Sequence, residues 1–209
     1  MKTDRLIDVL SVNLEPVERG GLAKSLALAL VIGLLLSLGL MLATLGLSAG
    51  VGMGFLGGKL LFALGLIATG AVVLIRLVHP GRSAQKALTA LLGLLLVAGL
   101  LCALAFLQGS PAGWGAAVFS PMWIMCLPCI PLFALVPFAA LIWVLRKGAP
   151  TNLRRTGAIA GLVAGLIGAA VYALHCPADS LLFIAVWYSV AVAFCALVGT
   201  LAGPRLLRW

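Results

Sequence analysis

The residues whose types and spacing most suggest chemistry are the cysteines of two short apolar stretches. CLPCIP, at 126–131, places Cys126 and Cys129 three positions apart, and HCPADS, at 175–180, brings His175 next to Cys176. Thiolates and imidazoles bind soft ions such as Cu(I) and Zn(II), whereas two thiols in an oxidising compartment can form a disulfide. The alternative is that these cysteines are small apolar packing residues.

The composition is that of a membrane protein. Of 209 residues, 64% are hydrophobic and only 9% are charged, and the mean hydropathy is +1.24. A soluble domain is closer to half apolar and a quarter charged. The net charge of +9 includes no basic run, so the basic residues are interpreted as topology determinants rather than a nucleic-acid surface. Five cysteines are too few for a disulfide scaffold.

Six apolar runs are long enough to cross a bilayer of about 30 Å. None contains an Asp, Glu or Lys, and the one Arg, Arg76, lies two residues before the end of the second run. The sequence therefore predicts an all-α membrane protein with a bundle of six transmembrane helices. The runs lie near 26–47, 60–78, 87–107, 122–145, 157–174 and 181–203. We divide the chain into a cytoplasmic leader at 1–24, a transmembrane domain at 25–203 and a cytoplasmic tail at 204–209.

The distribution of Lys and Arg predicts the orientation of this bundle. Thirteen of the 14 basic residues fall in the leader, the 2–3 loop, the 4–5 loop and the tail, against Lys59 alone in the other loops. The positive-inside rule then places both termini in the cytoplasm. Span 4 starts and span 5 ends on the opposite, periplasmic side. Antiparallel packing of these spans predicts that Cys126, Cys129, His175 and Cys176 converge there.

Spans 5 and 6 carry small residues at intervals of four. Such spacing puts them on one helix face and permits close backbone approach within a membrane. The two sets are Gly157, Gly161, Gly165 and Ala169 on span 5, and Ala191, Cys195, Gly199 and Gly203 on span 6. Cys195, and Cys102 inside span 3, are therefore interpreted as packing residues.

Little in the sequence indicates catalysis. Gly52, Gly54 and Gly57 form a GxGxxG pattern, but no strand precedes it, and we interpret it as a flexible glycine-rich turn between spans 1 and 2. There is no Ser-His-Asp set, no pair of carboxylates and no Walker loop. The protein is not expected to be an enzyme.

The leader has the pattern of a short amphipathic helix. Four of the five acidic residues fall within its first 18 positions. An apolar stripe at helical spacing precedes Pro16, which ends the pattern, and consists of Leu6, Ile7, Leu10 and Leu14. Helices that lie on a lipid surface are usually rich in Lys and Arg on the polar face. The acidic face here favours docking to a cytoplasmic protein over lying on the inner leaflet.

Four segments together resemble one protein family. They are TDRLIDVLSVNLEPV at 3–17, the span-4 cysteine, HCPADSLLFIAVWYS at 175–189 and GPRLLRW at 203–209. The chain is similar, from end to end, to the negative-regulator-of-sigma-F (NrsF) family. These proteins are six-helix anti-sigma factors of the bacterial inner membrane that act on extracytoplasmic-function sigma factors.

The resemblance implies a function for the leader and for the cysteines. The leader would hold the sigma factor at the membrane, without direct contact with nucleic acid. Its predicted contact residues are Asp4, Leu6, Ile7, Asp8, Leu10, Leu14, Pro16 and Val17. Heavy-metal or oxidative stress, sensed by periplasmic cysteines, would release the partner.

The family pattern pairs one span-4 cysteine with the HCP cysteine, which correspond here to Cys126 and Cys176. Cys129 is additional to that pattern, so the sensor is either a dithiol or a three-sulfur site that could bind metal. In the second case the ligands would be Cys126, Cys129, His175 and Cys176, with copper, zinc or cadmium as the signal and no obligatory cofactor.

Two other functions fit parts of the sequence. A quinone-linked membrane thiol oxidoreductase would use the CxxC spacing of CLPC, but it needs a second cysteine pair, and the HCP stretch offers Cys176 alone. A metal transporter would mark its pathway with ionisable residues inside the membrane, and the predicted spans contain no charged residue except Arg76 at the end of span 2. The anti-sigma interpretation is favoured over both.

Overall fold

The computed structural model describes residues 3, 21–48, 53–79, 83–108, 114–115, 118, 123–177 and 180–208. Within these residues there is no strand, and six helices are long and apolar enough to cross a membrane. They are α1 (Gly21–Thr44), α2 (Met53–Val78), α3 (Gln85–Gln108), α4 (Trp123–Leu145), α5 (Leu153–Tyr172) and α6 (Leu181–Leu206). The predicted bundle is thus confirmed, with helix ends shifted by a few residues. The predicted leader helix and its contact residues, Asp4 to Val17, lie outside the described residues.

Helix α5 lies at the centre of the bundle. It packs against α6, α4 and α2, and more weakly against α1. Its most apolar stretch is 72% buried, whereas that of α3, at the periphery, is 6% buried. Residues Gly157, Gly161, Gly165 and Gly168 have no side chains to keep neighbours away, so two helices, α6 and α4, reach the α5 backbone closely.

The predicted small-residue contact between spans 5 and 6 is confirmed, and we call it the glycine seam (Gly157, Gly161 and Gly165 with Cys195, Gly199 and Gly203). A Cβ atom built on Gly157 would clash with the carbonyl oxygen of Gly199, and one built on Gly199 with that of Gly157. Cys195 packs against Gly165 and is buried, as expected for a packing residue. The two backbones are therefore in direct van der Waals contact.

Helix α4 remains helical through three prolines, Pro128, Pro131 and Pro137. Each proline leaves a carbonyl one turn earlier without its usual donor. For Pro137 this carbonyl belongs to Phe133, and the buried Ser37 hydroxyl of α1 donates a hydrogen bond to it at 2.9 Å. Gly33 also lies against Pro137, where a Cβ would come within 2.8 Å of the proline Cα. Close packing of α1 thus compensates for the proline inside α4.

The glycine-rich stretch after α1 differs from its prediction as a flexible turn. Gly54 and Gly57 lie in the first turns of α2, which begins at Met53, while Gly52 is outside the described residues. The helical conformation lets Leu56 pack against the buried core. It also brings the Lys59 ammonium 4.6 Å from the centre of the Phe55 ring. These contacts offset the low helix propensity of glycine.

Candidate functional site

The first turns of α4 place one of the two CLPCIP cysteines in the core. Cys126 has no exposed surface, whereas Cys129 is half-buried at the core edge. Pro128 and Pro131, which would favour a kink or an irregular turn, lie inside the continuous helix. The carbonyls they leave without donors belong to Ile124 and Leu127, in the first turns of the helix.

The chain turns sharply at the end of α5 and brings Cys176 back onto the helix. The backbone N–H groups of His175 and Cys176 both donate to the carbonyl oxygen of Tyr172, at 3.0 and 3.1 Å. Cys176 is completely buried by this turn. Tyr172, four residues earlier, is also completely buried. A helix-terminal turn therefore holds a thiol and a phenol side by side.

Helix α6 begins with an irregular segment at the same end of the bundle. The Ser180 hydroxyl oxygen accepts a hydrogen bond from the Phe183 backbone N–H at 3.4 Å, which caps the helix. A π-helical segment follows at Ile184–Tyr188. The wider turn changes the rotational phase of the side chains, and Tyr188 at its end is buried beside Tyr172, with 6.1 Å between the ring centres.

Two tryptophans pack beside these residues. Trp187 of α6 stacks on Trp123 of α4, with ring centres 4.8 Å apart. The indole N–H of Trp187 donates to the carbonyl oxygen of Val118 at 2.8 Å. The stacked rings join the beginnings of α4 and α6 next to Cys126 and Tyr188.

Cys126, Cys176, Tyr172 and Tyr188 form one buried group, which we call the thiol–tyrosine cluster. The thiols of Cys126 and Cys176 lie within hydrogen-bonding range of each other. The Tyr172 hydroxyl lies beside Cys126 and the Tyr188 hydroxyl beside Cys176. Both hydroxyl oxygens are inaccessible to solvent, and neither makes a hydrogen bond of acceptable geometry. The cluster thus joins two thiols with two phenol hydroxyls whose hydrogen-bonding capacity is not used.

His175 has a different partner from the one that the sequence suggested. Its Nδ1 atom donates to the carbonyl oxygen of Gly46 at 3.1 Å. Gly46 has a φ of 69° and its N–H donates to the Met41 carbonyl oxygen at 3.2 Å, as in a turn that ends a helix. His175 thereby joins the end of α5 to the end of α1.

The four predicted metal ligands are not assembled into a ligand set. Among the described residues, no three His, Cys, Asp or Glu side chains are placed to hold a metal ion together. Two of the four, Cys126 and Cys176, face each other, and Cys129 lies near Cys126. A metal site at Cys126, Cys129, His175 and Cys176 stays a prediction, and we derive no step from it.

The cysteine pairing also differs from the spacing in the sequence. Cys129 shares the CxxC motif with Cys126, yet the thiol facing Cys126 is that of Cys176. Residues three apart are offset by about 60° around a helix of 3.6 residues per turn, and here one enters the core while the other stays at its edge. All five cysteines carry unoxidised thiols.

Sequence reasoning missed both tyrosines of the cluster. The chain contains two tyrosines in total, and both lie here. Tyr172 is four residues before Cys176, and this spacing places the two on the same side of the helix end. That spacing, and the scarcity of tyrosine in an apolar chain, were the available signals. Contact between Tyr188 and Cys176 depends on the π segment and has no sequence signal.

Comparisons with known proteins match the whole chain. The family described as NrsF, negative regulator of sigma F, matches residues 10–209. A curated relative from Azospira oryzae, the "Probable anti-sigma-F factor NrsF", is 33% identical over 214 residues, with 100% of both chains covered. The "Anti-sigma-F factor NrsF" of Caulobacter vibrioides is 32% identical over 225 residues, also with 100% of both chains covered. No solved structure matches significantly.

Proposed function

This chain belongs to the family of negative regulators of sigma F, and from that membership we propose how it acts. It is an anti-sigma factor of the inner membrane with both termini in the cytoplasm. It holds an extracytoplasmic-function sigma factor through residues 1–24 and releases it when Cys126 and Cys176 react with an oxidant or a soft metal ion. The observation that carries this proposal is the contact between two buried thiols from different helices.

The membrane location is supported by the six apolar helices and by the residues on their surfaces. Large hydrophobic side chains cover the outward faces of the bundle, for example Leu96 and Leu100 of α3, which are 73% and 60% exposed. Water would make such exposure unfavourable, whereas lipid tails are as apolar as leucine. The excess of Lys and Arg on the side of the leader and tail supports cytoplasmic termini.

The thiol pair is suited to sensing because its reaction changes the contact between helices. Cys126 belongs to α4 and Cys176 to the turn after α5. A disulfide between them requires the sulfurs to approach to about 2.05 Å, which would draw the two helix ends together. Both thiols are buried, so a small uncharged oxidant such as hydrogen peroxide is the best-suited reactant.

Helix α5 could carry such a movement to the cytoplasmic side. It starts at Leu153, next to the 4–5 loop, and ends at Tyr172 in the thiol–tyrosine cluster. Since the glycine seam keeps α5 in backbone contact with α6, a displacement at one end moves a rigid pair of helices. Moving a two-state equilibrium from 1:99 to 99:1 requires about 5.5 kcal/mol of differential binding, which a covalent bond formed in one state alone can supply.

The leader is tested by Leu10→Arg in the full-length protein, because a charge in the apolar stripe should prevent docking. Val12→Arg, outside that stripe, is the matched control. The sigma factor that co-purifies is identified by mass spectrometry and then recombined with the purified protein in detergent. We expect Leu10→Arg to lose this binding and to express the target genes constitutively, while Val12→Arg retains repression. Normal binding and repression in Leu10→Arg would refute the assignment of the leader.

A further inference from the structure

The thiol–tyrosine cluster contains two phenol hydroxyls that packing around the sulfurs does not require. We propose that Tyr172 and Tyr188 are positioning residues whose hydroxyl groups donate hydrogen bonds to the sulfur anion that forms when Cys126 or Cys176 is deprotonated during reaction. This inference rests on the proposed function, because it assigns to the tyrosines a part in the reaction of the same thiol pair.

Burying these hydroxyls costs folding free energy unless they acquire hydrogen-bond partners. Tyr172 is 0% and Tyr188 is 8% exposed, and both hydroxyl oxygens lack a hydrogen bond in the reduced protein. An unsatisfied buried hydroxyl destabilises a folded protein, whereas phenylalanine would fill the same space without that penalty. The hydroxyls lie beside Cys126 and Cys176 respectively. Their placement is therefore suited to a state in which one sulfur is deprotonated, because a sulfur anion accepts hydrogen bonds more strongly than a thiol does.

Other donors near the pair already have acceptors. The Nδ1 atom of His175 bonds to Gly46, the indole N–H of Trp187 to Val118, and the backbone N–H of Cys176 to Tyr172. The remaining titratable neighbour is Cys129. Residues 123–145, 156–177 and 180–204 contain no Asp, Glu, Lys or Arg. A sulfur anion here has no cation from these segments to neutralise it, and the two phenols are the donors with capacity to stabilise it.

Oxidation by a peroxide shows where this stabilisation acts. One thiol loses its proton, and its sulfur attacks a peroxide oxygen as the O–O bond breaks. The released hydroxide and the proton form water, and the sulfur remains as a sulfenic acid. The second thiol then attacks this sulfur, the S–S bond forms, the S–O bond breaks and a second water leaves. Two electrons pass from the sulfurs to the peroxide, and the tyrosines are unchanged.

The test compares Tyr172→Phe and Tyr188→Phe with wild type in purified full-length protein in lipid nanodiscs. Hydrogen peroxide is the probe, and peptide mass spectrometry measures the rate of Cys126–Cys176 disulfide formation across a pH series. Each substitution should slow the reaction at neutral pH by roughly tenfold, the factor that one hydrogen bond to a charged group provides. Because the anion becomes harder to form, the rise in rate should also move to higher pH.

A purely structural role predicts different results. If the hydroxyls only supported packing, Tyr→Phe would lower the thermal stability of the reduced protein and leave the pH profile in place. We expect the reverse, with stability unchanged or raised, since an unsatisfied group is removed. Trp187→Phe is the matched control, since it alters the neighbouring aromatic packing without removing a group beside a sulfur, and it should keep the wild-type pH profile.

The outcomes separate this inference from the proposed function. Wild-type rates and pH profiles in both Tyr→Phe variants, with the disulfide still forming, would overturn the assignment of the tyrosines and leave the thiol sensor intact. Failure of the wild-type pair to form a disulfide or to react with peroxide would overturn both. Slower reaction in the Tyr→Phe variants, with wild-type behaviour in Trp187→Phe, would support the inference.

Discussion

Helix α5 meets α6 through two different kinds of surface. Along the glycine seam, backbones touch and no side chain intervenes, as the position of Gly157 against Gly199 illustrates. At the thiol–tyrosine cluster, large rings and sulfurs separate the helices, and two hydroxyls lack hydrogen bonds. The first surface fixes the distance between the helices, and the second buries two phenol hydroxyls without hydrogen bonds beside two thiols. Close backbone packing and buried polar groups thus occupy opposite parts of one helix pair.

The largest expected effect comes from filling the seam. Gly199→Leu would place a side chain where even a Cβ overlaps the Gly157 carbonyl oxygen, so α5 and α6 must separate. We expect a loss of more than about 3 kcal/mol of stability, at the upper end for overpacked cores, seen as lower yield and a lower melting temperature in detergent. Gly93→Leu on α3 is the control, since a Cβ there meets nothing within 4 Å. Equal stability of the two variants would refute direct backbone packing in the seam.

The next effect concerns the response of the cluster rather than its stability. Cys126→Ser and Cys176→Ser should each abolish induction of the target genes by hydrogen peroxide or cadmium, because neither a disulfide nor a metal bridge between the two sulfurs can form with one sulfur. Cys102→Ser and Cys195→Ser should respond as wild type, since these cysteines lie outside the cluster. A reporter gene fused to a target promoter measures the response. Normal induction in both Cys126→Ser and Cys176→Ser would refute sensing by this pair and show that the two cysteines are packing residues.

A smaller effect is expected where α1 packs against α4 at Pro137. Ser37→Ala would leave the buried Phe133 carbonyl without a donor, which costs about 1–3 kcal/mol. Thr69→Ala is the matched control, because the Thr69 hydroxyl donates to carbonyls of its own helix at 2.9 and 3.0 Å, which already have backbone partners. Thermal unfolding in one detergent compares the two. A loss in Thr69→Ala as large as that in Ser37→Ala would contradict this explanation.

The smallest effect is expected at His175, between the cluster and α1. His175→Ala removes the hydrogen bond to Gly46 and should reduce stability by about 0.5–1.5 kcal/mol, while the response to hydrogen peroxide persists. Comparing the responses of this variant to hydrogen peroxide and to cadmium tests whether His175 binds metal. If the cadmium response alone is lost, His175 is a metal ligand in the bound state. If both responses persist, its role is to join α5 to α1.

Much of the site was predictable because it follows from periodicity and topology. The spacing of Gly157, Gly161 and Gly165 predicts a close helix contact, and the antiparallel order of spans 4 and 5 predicts that CLPCIP and HCPADS meet. Which cysteine faces Cys126 within that region was harder to predict from the sequence. Cys129 has the motif spacing, but Cys176 faces Cys126, since the rotation of α4 about its axis depends on packing against α5.

The sequence by itself determined the class of the protein, its six helices, the seam and the end of the bundle where the cysteines gather. Apolar length and small-residue spacing are local properties, and they act whatever the neighbours are. Only the tertiary structure decided that His175 bonds to Gly46, and that Tyr172 and Tyr188 surround the thiols. Those contacts depend on side-chain directions set by the π segment of α6 and the turn after α5. Directions of that kind arise from packing between helices and leave no periodic trace in the chain.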